Sequence, residues 1–235
     1  MLAVDFQLLD FLNQYSHHSK IFDLTVLIFS VNNLLKGGML IAIVWWAWFR
    51  PSKQSAVDRE TLVSNLFGCV LAMGIARSLA ILLPQRLRPL NESNLDFRLP
   101  FGMQPDVFNG WSSFPSDHAA LFFTLSTGIV FVSRRVGAFA FFYTAIFICM
   151  PRLYFGLHYL TDILMGCMIG VSAGSLVNAD QIKKKISQPA LSLMHGKPGI
   201  FYPLFFLMTY QIVDMFDSSR ALFTAAWEFY KYYKS

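Results

Sequence analysis

The chain has 235 residues, 55% hydrophobic and only 14% charged, with a net charge of +5. Soluble domains carry about 25% charged residues, so a mean hydropathy of +0.47 excludes an ordinary soluble globule and intrinsic disorder alike. A basic soluble protein would suggest nucleic acid; here Lys and Arg fall mostly between apolar segments, so the expected partner is a lipid bilayer and no nucleic acid.

Residues 4–16 place apolar side chains at helical spacing with Asp5, Gln7 and Asp10 among them, which predicts an interfacial amphipathic helix. A first apolar stretch runs over 21–49. At about 1.5 Å per residue it exceeds a bilayer core of roughly 30 Å, so it tilts, protrudes or breaks. Asn32, Asn33, Lys36, Gly37 and Gly38 mark a polar, irregular face in its middle. Trp45, Trp46 and Trp48 read as an interfacial belt at its end. A second span covers 61–83 and stops at Pro84. The loop that follows, 85–114, carries Pro89, Pro100, Gly102, Pro105 and Gly110, as irregular backbone requires. Further spans are expected at 117–132, 137–151, 159–178 and 199–214, with a basic loop around Lys183, Lys184 and Lys185. The tail, 216–233, reads as a second amphipathic interfacial segment. In the fifth span Gly166, Gly170 and Gly174 recur every four residues, a packing stripe. Cys69, Cys149 and Cys167 are too far apart for a zinc pattern and read as small hydrophobes. The expected fold is all-α: a six-transmembrane-helix bundle forming a single integral-membrane domain over 1–235.

Six spans divide the loops between two sides. Arg50, Lys53, Arg59, Arg134, Arg135, Lys183, Lys184, Lys185 and Lys197 collect on one side, which is expected to be cytoplasmic. Three clusters of ionisable residues collect on the other: Arg86 and Arg88, with Arg77 inside the preceding span; Ser116, Asp117 and His118; and Arg152, His158 and Asp162. Charged groups at a membrane need a reason.

His158 and Asp162, four apart, share a helical face. A carboxylate that accepts from one imidazole nitrogen leaves the other free to attack, although such a pair is also a plain stabiliser of a helix start. Pro115 and Ser116 are helix-start residues, and a helix N-terminus also offers N–H groups to an anion. His118, in the same turn, is placed to protonate a leaving oxygen. Arg86 and Arg88 lie on the less basic side, where anchoring explains them poorly and phosphate binding explains them well. Two histidines, a carboxylate, several arginines and a helix N-terminus are the composition of metal-free phosphoryl transfer. A divalent-metal site is the rival reading; the arginines would repel the ion, so no metal and no cofactor are expected.

Arg88-Pro89, Pro115-Ser116-x-His118 and Arg152-x5-His158-x3-Asp162 together resemble the type 2 phosphatidic acid phosphatase superfamily. The resemblance covers residues 77–162 by motif. It implies that His158 is the nucleophile that becomes phosphohistidine, that Asp162 orients it, and that His118 is the general acid. Arg88, Arg152 and Ser116 would hold the phosphate with backbone N–H groups near Asp117. Three positions depart from the family pattern. The family lysine falls on Ile81, with Arg77 or Lys36 as its replacement; Asp117 stands where the pattern has glycine; Pro151 stands where it has serine. The implied partner is a phosphorylated membrane lipid, foremost a polyprenyl diphosphate such as undecaprenyl diphosphate. Phosphatidic acid, phosphatidylglycerol phosphate and lipid A phosphates are alternatives, as is phosphotransfer to another acceptor. A lipid-binding or transport protein on the same scaffold is the non-enzymatic alternative. The expected location is the bacterial inner membrane, with the site on its periplasmic or external face.

Overall fold

A computed structural model describes residues 3–104 and 110–234; Pro105 lies outside the described residues. Among them no strand occurs. Each of the six apolar stretches is helical. The first is α2 (Lys20–Val31) and α3 (Met39–Phe49), bent by 66°. It is followed by α4 (Ser55–Leu82), α5 (Asp117–Val132), α6 (Arg134–Tyr143) with α7 (Met150–Tyr154), α8 (Leu160–Val177) and α10 (Pro198–Val213). A short α1 (Ala3–Asn13) precedes them, and α11 (Asp217–Lys234) turns away from α10 by 92°. By length and composition three helices can cross a membrane, or up to five if each bent pair is one span.

The first stretch breaks where the sequence turns polar. Leu34–Gly38 form a π-helical turn between α2 and α3, and the Asn32 side chain accepts from the Leu34 and Leu35 N–H groups. A π turn carries an extra residue, and these turns recur at functional sites. A second one, Thr144–Cys149, joins α6 to α7 ahead of Pro151, whose missing N–H falls in the first turn of α7.

Helix α5 is the centre of the bundle. Ser116 caps it, accepting from Ala119 N at 3.4 Å, and every residue from Ala119 to Ile129 is buried. A helix apolar all round belongs in a core. It packs against α4, α6 and α8. The glycine stripe of α8 faces it: a Cβ on Gly170 would lie 2.6 Å from the Ala120 carbonyl, and one on Gly174 2.8 Å from Thr127 Cβ. At Gly166 the obstruction is the Ser116 carbonyl. This close approach lets Ser116 N donate to the Asp162 carbonyl at 3.1 Å, which ties the starts of α5 and α8 together.

The outward faces are apolar. Phe67, Val70, Leu71 and Ile75 on α4, Leu164, Met168 and Leu176 on α8, and Leu204, Phe206 and Leu207 on α10 are exposed. Surfaces of that extent face lipid in a membrane protein.

Three expectations change. The segment around Lys183–Lys185 is a helix, α9 (Asp180–Gly196), packed on α4 and α10. Trp48 is fully buried, stacked on Phe201 and tilted against Phe205 with ring centroids at 5.5 and 4.5 Å, so only Trp46 of the trio is exposed. Helix α1 is more than an interfacial helix, because Asp5 is 1% exposed and bonded into the bundle.

Candidate active site

The site lies where α2, α4, α5, α7 and α11 converge with the turn before α8. A cavity of about 490 Å³ is lined by Lys36, Arg77, Arg88, Asp117, His118, Arg152 and His158, seven of the ten residues expected from sequence. Trp111, Asp217 and Arg220 complete its charged and aromatic lining.

His158 is placed by a turn. Gly156 adopts φ +63°, a left-handed conformation that suits glycine, and its carbonyl accepts from Leu90 N at 3.0 Å. His158 follows, almost wholly buried. Its Nδ1 lies 2.8 Å from the Ser113 carbonyl, an acceptor only, so the Nδ1 proton points there and Nε2 is left for the cavity. Asp162 stands 3.6 Å from the same Nδ1. Its carboxylate is engaged elsewhere: Oδ2 accepts from Tyr159 N at 2.8 Å, closing a capping box at the start of α8, and Oδ1 pairs with Arg86 Nη1 at 2.5 Å. Burial pulls the His158 imidazole below the ordinary histidine value, by more than the nearby Asp162 restores, so the ring is neutral at pH 7.

His118 has a different environment. Its Nδ1 is 2.9 Å from Asp117 Oδ1, and its Nε2 is 2.7 Å from Arg152 Nη2. Arg152 also donates to the Ser30 carbonyl at 2.8 Å, which fixes the guanidinium between α2 and α5. Arg88 donates to the Leu157 carbonyl at 2.8 Å, one residue before His158. Burial lowers the proton affinity of Arg88, and the charges of Asp117 and Asp162 oppose that loss. Lys36 projects from the π-helical turn and is only 7% exposed.

Three expected residues stand behind the cavity. Ser116 is fully buried as the cap of α5. Asp162 supports the His158 turn from the far side. Arg86 bridges Asp162 and Asp5, at 2.5 and 2.9 Å, and donates to Thr161 Oγ1 at 2.8 Å. Two buried carboxylates hold its guanidinium, so it cannot also reach into the cavity. The family lysine position, Ile81, is 81% exposed on the outer face of α4 and does not face the site at all.

Asp5 was not a sequence candidate. Thr161 N donates to it at 3.0 Å and Thr161 Oγ1 at 2.9 Å. Burial works against its charge, but these bonds and Arg86 outweigh that and hold the carboxyl below the usual range. A lone acidic residue on the apolar side of a terminal helix was the available signal. Arg220 was missed because α11 reads only as an amphipathic tail.

Residues 62–185, more than half of the chain, match the PAP2 superfamily. The chain belongs to the PAP2 superfamily. It is a membrane lipid phosphatase of that superfamily, and all three motif elements lie inside the matched segment. The crystal structure of Aquifex aeolicus LpxE is similar, with a TM-score of 0.54 and 24% sequence identity, over 74% of this chain and 94% of that one. No curated protein matches the sequence. Among the described residues no group of three or more His, Cys, Asp or Glu side chains is arranged to hold a metal ion. The cavity of this PAP2 protein instead gathers cations around two imidazoles.

Proposed function

We propose that the protein hydrolyses a polyprenyl diphosphate such as undecaprenyl diphosphate to the monophosphate, without a metal, through a phosphohistidine on His158. The observation that carries this reading is the His158 ring: buried, neutral, its Nδ1 tied to the Ser113 carbonyl and its Nε2 left for a cavity that also holds His118. Arg88, Arg152 and Lys36 bind the phosphoryl oxygens, and their charge stabilises the transition state. His118 protonates the leaving oxygen, and water then cleaves the phosphohistidine. Asp162 acts behind His158, and Ser116 acts by starting α5. Lys36 takes the part of the family lysine, because Arg77 is committed to Asp117 at 2.5 Å.

The charge of the cavity supports a diphosphate. Lys36, Arg77, Arg88, Arg152 and Arg220 against Asp117 and Asp217 leave three positive charges among the described lining residues. A monophosphate ester brings about two negative charges; a diphosphate brings more. The lipid tail would stay in the bilayer beside the exposed apolar faces. The basic residues of the opposite loops support a site on the external face of the inner membrane.

The test is phosphate release by the purified protein in detergent with EDTA. The panel is undecaprenyl diphosphate, phosphatidic acid, phosphatidylglycerol phosphate and lipid A, with His158→Ala as control. Release from the diphosphate that survives EDTA and vanishes in the variant is expected. Preferential release from a monophosphate lipid would overturn the substrate, and strict dependence on added metal would overturn the mechanism.

A further inference from the structure

We propose that Asp117 is a positioning residue for His118, and that Arg77 holds Asp117 in that role. The inference rests on reading His158 as nucleophile and His118 as acid. Asp117 stands where the family pattern has glycine, inside a cavity meant for phosphate. A bare carboxylate there would repel the substrate. The geometry gives both of its oxygens an occupation. Oδ1 accepts from the His118 backbone N–H at 2.8 Å and lies 2.9 Å from His118 Nδ1. Oδ2 pairs with Arg77 Nη2 at 2.5 Å, and Arg77 lies over the Trp111 ring with its carbon 5.2 Å from the centroid.

This arrangement fixes the His118 tautomer. A guanidinium only donates, so the nitrogen facing Arg152, Nε2, is an acceptor in the resting site. The ring proton therefore sits on Nδ1, directed at Asp117. When the substrate phosphate enters, Nε2 is the nitrogen that takes up a proton, supplied by solvent. The imidazolium so formed is flanked by two like charges, Arg152 from α7 and Lys36 from the π-helical turn. Asp117 supplies the opposite charge, in direct contact.

In the chemical step His158 Nε2 forms a bond to phosphorus while the P–O bond to the leaving group breaks. The electron pair of that bond goes to the leaving oxygen, which takes the proton from His118 Nε2. Asp117 stays ionised throughout and keeps its bond to Nδ1–H. The now neutral His118 next accepts a proton from the water that attacks phosphorus and breaks the P–N bond, which restores both histidines.

A role through His118 predicts a leaving-group signature. Asp117→Asn keeps the size and loses the charge. With a lipid phosphate or diphosphate, whose leaving oxygen needs a proton, turnover should fall at least about tenfold. With an apolar-chain nitrophenyl phosphate, whose leaving oxygen departs unprotonated, it should change less than about twofold. KM should stay level or fall, because Arg77 is freed for phosphate. In a His118→Ala background, adding Asp117→Asn should cost nothing further. Equal losses on both substrates, a raised KM, or additive losses would each overturn the proposal. If Asp117→Asn does not fold in detergent, Arg77→Gln serves instead, with a smaller loss of the same leaving-group dependence expected. His158→Ala separates the two readings: it should abolish both activities, and activity there would sink the phosphohistidine itself without judging Asp117.

Discussion

The two histidines of the cavity are held by partners of opposite kind. His158 gives its Nδ1 proton to a neutral carbonyl, that of Ser113 at 2.8 Å, while the nearest carboxylate, Asp162, stands 3.6 Å off. His118 gives its proton to a carboxylate in direct contact, Asp117 at 2.9 Å. Arg86 neutralises the first carboxylate and Arg77 the second, but only the second remains bonded to an imidazole. A nucleophile needs its lone pair and an acid needs its proton, so one ring is best kept neutral and the other supported as a cation. In the proposed mechanism the carboxylate beside His118 supports the proton that the acid donates, and the carbonyl beside His158 leaves that ring its lone pair for attack.

The comparison can be broken by removing either ring. His158→Ala should abolish turnover, a loss of more than about 10⁴-fold in phosphate release, because it removes the nitrogen proposed to form the covalent intermediate. His118→Ala should cost about 10²- to 10⁴-fold with lipid substrates, and the residual activity should favour good leaving groups. Equal effects of the two changes on every substrate would mean that the rings share one function. The pH profile sharpens the same contrast. His158 attacks only when neutral, and burial lowers its proton affinity. The acid limb of kcat/KM should therefore fall below the ordinary histidine value of about 6.5. In Arg86→Gln the Asp162 charge is no longer masked, so His158 should bind its proton more tightly and the limb should move to higher pH. A limb that does not move would show that Asp162 does not act on His158. The smallest effect expected is on stability. Gly166→Ala should force α8 away from Ser116, costing about 1–3 kcal/mol by overpacking, read as a lower melting temperature in detergent.

The sequence carried the apolar helices clearly, because a segment that crosses lipid must be apolar for its length. It also carried the two histidine motifs that meet at the cavity, because Pro115-Ser116 and the His158–Asp162 spacing are local features. What it could not carry depends on which way a helix is turned. Arg77 and Lys36 both sit in apolar helices at the right depth, and only the fold shows Arg77 paired with Asp117 and Lys36 on the cavity wall. Arg86 points to Asp5 and Asp162 while Arg88 lines the cavity, although residues two apart on extended backbone would share a face; the buried carboxylates decide its direction, and they come from distant parts of the chain. Trp48 is in the core for the same kind of reason: an aromatic at a helix end suits an interface or a neighbour equally well until the neighbour, here Phe201 and Phe205 of α10, is known. The Asp162 role changed most. The i, i+4 spacing correctly put it beside His158, yet the carboxylate caps α8 and binds Arg86.

The first apolar stretch departs from a regular helix twice: at Asn32, whose backbone is extended, and at the π-helical turn Leu34–Gly38, which amounts to one inserted residue. Each residue of an α-helix turns the chain by about 100°. Excising a single residue from this turn would let it close into regular α-helix continuous with α3, and everything on its N-terminal side would rotate by that amount relative to α3. The Ser30 carbonyl would leave Arg152 and the wall of the cavity would face lipid. A deletion that regularises the turn would thereby dismantle the cavity, and adding the residue back anywhere within the turn would restore it.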